Sequence, residues 1–152
     1  AILLGKACGV FVLGLASMLT VWAVTSVVFG AHWGDPLGVL AIILGVVLAI
    51  GGVSTLVAGV ATSEAQADSL TAVVAFSLAL VGGNFISPGA LPGVLEVLSR
   101  ATPNGWALRA LTDLEAGATT AADVVPVAVG LALVGVATGA VGTALSERRL
   151  VT

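Results

Sequence analysis

The chain has 152 residues, of which 59% are hydrophobic and 9% charged, with a mean hydropathy of +1.19 and a formal net charge of −3. Soluble domains carry roughly 25% charged residues, so this composition cannot cover a water-facing surface and excludes a soluble fold. Basic clusters that would hold nucleic acid are absent, and the single cysteine, Cys8, excludes an internal disulfide and a Cys/His metal pair.

A hydrocarbon core of about 30 Å needs roughly 20 apolar residues per helix. Stretches near 7–30, 37–62, 69–86 and 124–146 meet that length. Lipid offers no partner to backbone amides, so each stretch must pair its own and be helical. The predicted fold is an all-α polytopic membrane bundle: one transmembrane domain over 1–152 with four transmembrane helices and a short external re-entrant helical hairpin. The first stretch is too long for a cleavable signal peptide, and no polar mature domain follows it.

Taken in chain order, Lys6 stands before the first span, and Cys8 reads as a small packing residue between Ala7 and Gly9. Trp22 and Trp33 suit the membrane interface. His32 lies in the Ala31–Pro36 turn and reads as an ordinary solvated side chain. The turn Thr62–Asp68 carries Glu64, Gln66 and Asp68. Beyond Asn84, Pro88 and Pro92 interrupt the third span. Two short helices are predicted near 91–100 and 103–117, the first with Glu96 and Arg100 in the favourable four-residue order. In the second, Ala107, Leu108, Leu111 and Leu114 share one face, while Arg109, Thr112, Asp113 and Ala116 share the other. Gly117 is placed to end it. Neither helix is long enough to cross, and each has a greasy face, so the pair belongs at the membrane boundary or dipping back into the bundle. The last span ends in Ser146-Glu147-Arg148-Arg149. Lys6, Arg148 and Arg149 on one side against Arg100 and Arg109 on the other favour both ends of the chain in the cytoplasm.

No Walker A loop, nucleophile elbow or zinc-protease motif is present. An intramembrane carboxylate pair of the kind ion-coupled pumps use is absent too. Span hydroxyls (Ser17, Thr20, Thr25, Ser26, Ser54, Thr55, Thr71, Ser77 and Thr138) are expected to bond back to their own helices, with a substrate path lined by some of them as the alternative. Gly5/Gly9 and Gly135/Gly139 have the four-residue spacing that lets helices approach closely.

The order of these features resembles the C-terminal part of an ABC-2 type transporter permease. Ile2-Leu3-Leu4-Gly5-Lys6 is similar to the start of that family's third span, and Glu64-Ala65-Gln66-Ala67 to the turn before its fifth. The segment Gly82-Gly83-Asn84-Phe85-Ile86-Ser87-Pro88, then Leu91-Pro92, then Pro103-Asn104-Gly105-Trp106-Ala107-Leu108 resembles its most specific signature. The resemblance implies a plasma-membrane, multi-pass permease subunit of an ATP-binding-cassette exporter, non-enzymatic itself. It implies a second permease subunit, alike or different, and an ATP-binding cassette subunit that holds ATP and Mg; this chain would bind no cofactor. It also implies six spans, of which these are the last four, so the chain, starting at Ala1 without a methionine, is expected to be a piece of a longer permease. The hairpin would roof the exit, with Phe85, Pro88, Pro92, Pro103, Trp106 and Arg109 as an external gate. Lys6, Glu64, Gln66 and Asp68 would make cytoplasmic-side contacts. The alternatives are part of an ion-coupled secondary transporter, which would show matched broken helices, and a non-transporting membrane scaffold.

Overall fold

The computed structural model describes residues 2–85, 90 and 93–150. Its helices are α1 (Ile2–Val28), α2 (Pro36–Val60), α3 (Glu64–Gly82), α4 (Gly93–Arg100), α5 (Pro103–Glu115) and α6 (Ala121–Leu150). The chain is all-helical, with no strand among the described residues. Four of the helices, all but α4 and α5, are long and apolar enough to cross a membrane.

The bundle is organised around α2 and α6, which run parallel. Glycine recurs at every seventh position of α2: Gly38, Gly45, Gly52 and Gly59. A Cβ at Gly38 would meet Leu114 Cδ2 at 2.9 Å and Val124 Cγ2 at 3.2 Å; one at Gly45 would meet the Ala128 carbonyl at 2.8 Å. At Gly52 and Gly59 it would run into the carbonyls of Gly135 and Gly142. Gly135 and Gly142 of α6 lie as tightly against the backbone at Leu48 and Thr55. From Gly45 to Gly59 the seam therefore brings backbone against backbone, which is how helices associate where lipid removes the hydrophobic drive. Of the expected four-residue pairs, Gly135 sits in this seam and Gly139 just touches Gly52, whereas Gly5 and Gly9 have nothing near them.

One carboxylate starts both helices. Asp35 accepts from Leu37 N at 2.9 Å through Oδ1 and from Ala121 N at 3.1 Å through Oδ2. A helix N-terminus exposes unpaired N–H groups and partial positive charge, and here two such ends converge on one anion.

The buried core joins Val39, Ile42, Ile43 and Val46 of α2 to Ala107, Ala110 and Leu114 of α5 and Val124 and Leu131 of α6. From α1, Phe11, Leu15, Met18, Leu19 and Trp22 pack at its edge along one helical face. Cys8 is exposed, not the packing residue its small neighbours suggested. Trp33 donates to Thr25 Oγ1 at 3.1 Å and so pins the first turn to α1. His32 is exposed.

Candidate functional site: a cleft between α2 and α3

An elongated cavity of about 270 Å³ runs between α2 and α3. Val46, Ala49, Ile50, Val53, Ser54 and Val57 form one wall. Thr71, Val74, Ala75, Leu78 and Ala79 form the other. In both sets the spacing is three and four residues, so each wall is a single helix face. The α2 wall flanks the glycine seam and is backed by α6. At the hairpin end the cavity meets Asn84, Pro103 and Asn104. Its lining is apolar, with Ser54, Thr71 and the two asparagines as the polar groups and no ionisable side chain. Such a surface accepts an apolar or amphipathic molecule; it offers no acid, base or nucleophile pair. Among the described residues no cluster of His, Cys, Asp and Glu is arranged to hold a metal.

Local chemistry explains the end wall. The last turn of α3 closes with Gly83 in the left-handed region (φ 92°) and Asn84 N donating to Ala79 O at 3.1 Å. This is the bonding of a glycine-terminated helix, and it turns Asn84 back over the helix end. On the other side Thr102 caps α5, accepting from Gly105 N at 3.1 Å, while its own hydroxyl donates to Ser99 O at 3.0 Å. Pro103 then takes the first helical position, where its missing N–H costs nothing. Asn104 follows and faces α3. Its Nδ2 donates to Asn84 Oδ1 at 2.8 Å and to Leu78 O at 3.3 Å. Gly82 permits this approach, since a Cβ there would lie 2.7 Å from Asn104 Nδ2.

The residues expected to act together as a gate occupy different places. Pro103 lines the cleft end. Trp106 is on another side of α5: its ring covers Gly130 of α6, and its Nε1 donates to the Arg100 carbonyl at the end of α4. Arg109 donates from Nη2 to the fully buried Ser99 hydroxyl, tying α5 back to α4. Both therefore hold the hairpin together, Trp106 also packs it onto α6, and neither lines the cleft. Phe85 is exposed and stacks at a tilt on Phe76, ring centres 6.2 Å apart. Pro88 and Pro92 lie outside the described residues. Glu96 and Arg100 pair at 2.6 Å on the exposed side of α4, a surface ion pair of small energetic weight. Gly117, with φ 67°, ends α5 as its position suggested.

At the opposite end, Gln66 is engaged locally. Its Oε1 accepts from Thr62 N at 2.7 Å and Thr62 Oγ1 at 2.6 Å, while Ser63 caps α3. Glu64 and Asp68 are exposed on the first turns of α3, and the Lys6 side chain lies outside what is described.

Six of the nine span hydroxyls fall into two groups. Those of Thr20, Thr25, Thr55 and Thr138 donate back to carbonyls four residues earlier. Ser54 and Thr71 make no side-chain hydrogen bond among the described residues and line the cleft. Asn104 and its partner Asn84 were missing from the expected site set, although both lie within the quoted signature. Their polarity amid apolar sequence was the available signal.

Crossing-length helices around an apolar cleft, with a pair of short helices at one end, define a multi-pass membrane protein. Residues 1–116 match the family described as ABC-2 type transporter, and the chain belongs to that family. The match takes in both cleft walls and the hairpin and stops before α6. No curated protein and no solved structure matches the chain. It is thus a membrane component of an ABC transporter.

Proposed function

We infer that the chain is the permease part of an ATP-binding-cassette exporter, that the α2–α3 cleft belongs to its translocation path, and that the α4–α5 hairpin closes the external end. The observation that carries this reading is the cleft itself: two helix faces with apolar lining that reach Pro103 and Asn104 at one end. In such a machine a partner subunit binds ATP and Mg, and this chain supplies the passage together with a second permease subunit. Lys6, Arg148 and Arg149, against Arg100 and Arg109 on the other side, favour both chain ends in the cytoplasm by the positive-inside rule. That puts the hairpin outside and Glu64, Gln66 and Asp68 on the side of the ATPase. The lining without ionisable groups argues against an ion-coupled carrier, which needs a charge at membrane depth.

The test is co-purification of the full-length chain with an ATP-binding subunit, followed by ATP-driven uptake of apolar dyes into inside-out vesicles. Stable association and ATP-dependent uptake are expected. In the same assay Pro103→Ala lowers uptake and leaves the association intact. A full-length chain that binds no ATP-binding subunit would sink the assignment.

A further inference from the structure

We propose that Asn104 is a positioning residue for transport: its side-chain amide clasps the last turn of α3 to the first turn of α5 and so holds the hairpin end of the cleft shut. The proposal rests on the cleft being part of the translocation path.

The two walls of the cleft are held very differently. The α2 wall is locked to α6 by the glycine seam, where the two backbones come into contact. The α3 wall has little behind it: Gly82, under Asn104, is its only buried residue among those described. From Thr71 to Gly82, the bond from Asn104 to Leu78 O is the one hydrogen bond to another helix among the described residues. The less firmly held wall is therefore α3, and its hydrogen-bonded restraint lies at one point. The chemistry of that point is specific. The two N–H bonds of the Asn104 amide face two acceptors, Leu78 O and Asn84 Oδ1, and an amide is the short neutral side chain with two donors on one atom. Leucine has nearly the same shape and no donor. A methyl group at Gly82 would push the amide away while leaving it chemically whole.

The experiment is cysteine labelling of the full-length protein in native membrane vesicles, with no ATP and no cargo. The reporter is Ser54→Cys in a Cys8→Ser background, reacted with a water-soluble maleimide, since thiolate formation requires water at the site. Asn104→Leu raises the labelling rate about tenfold, the loss expected for two modest hydrogen bonds. Gly82→Ala raises it severalfold, and the double variant opens no further than Asn104→Leu alone, because both act on one contact. Native Cys8, followed in the variants that retain it, keeps its rate. An unchanged Ser54→Cys rate in both single variants overturns the proposal. So does a rise matched at Cys8, which would mean the whole bundle had loosened. Should Asn104→Leu fail to accumulate, Gly82→Ala carries the test alone. Because neither nucleotide nor substrate enters the assay, its result is separate from that of the co-purification.

Discussion

Helices α2 and α3 are neighbours in sequence and both long enough to cross, yet half of the most apolar window of α2 is buried inside the bundle, against 6% of that of α3. Hydrophobicity alone does not set the difference, since α1 is more apolar than α3 and none of its window is buried. Glycine placement separates them: α2 carries a glycine at every second turn of the face toward α6, and α3 has one glycine, Gly82, at its end. In lipid a greasy face needs no cover, so only the helix whose backbone can be approached closely acquires a fixed partner. A frame and a loosely held wall follow from that contrast.

The sharpest way to break the comparison is within α2 itself. Gly51 and Gly52 are adjacent, but a Cβ at Gly51 meets nothing within 4 Å and one at Gly52 meets the Gly135 backbone. Gly52→Leu is expected to cost about 3 kcal/mol or to prevent accumulation. Gly51→Ala should raise stability by roughly 0.5–1 kcal/mol by removing backbone entropy. Thermal unfolding of the purified protein distinguishes them, and equal effects would remove the seam as the organising element. Next in size is Asp35→Ala, which strips the cap from two helices at about 1 kcal/mol each and should lower the melting temperature. Asp35→Asn should retain most of the stability, because an amide oxygen still caps. Trp106→Phe keeps the ring over Gly130 but loses the N–H bond to Arg100 O, for a cost of about 1 kcal/mol. Smallest of all, Ser77→Val on the exposed face of α3 should change stability by less than about 0.5 kcal/mol. A larger loss there would mean that α3 is packed after all.

The crossing helices were legible from composition because bilayer thickness sets one length for all of them. The hairpin was legible from Pro103, Gly117 and the apolar face that includes Leu114, all of which are local signals. The seam was present in the sequence as Gly38, Gly45, Gly52 and Gly59, but a search for glycines four apart passes over a repeat of seven. That longer repeat is the one that keeps a single face toward a partner running alongside. The candidate site was harder to read. Prolines, aromatics and Arg109 near a helix break read as gate residues, but their contacts could not be read: Trp106 reaches Arg100 O and Gly130, and Arg109 reaches Ser99. Asn104 meets Leu78 across a separation of 26 residues, and no local pattern announces a contact of that kind.

The double cap at Asp35 also imposes an order of assembly. Its second oxygen waits for Ala121, which lies 86 residues further along the chain. At roughly 5–20 residues per second of synthesis, α2 stands in the bilayer for several seconds with its notched side against lipid before its mate is made. The frame is therefore completed only once α6 has left the ribosome, and whatever shields the notches of α2 in the interval must leave as easily as a lipid tail does.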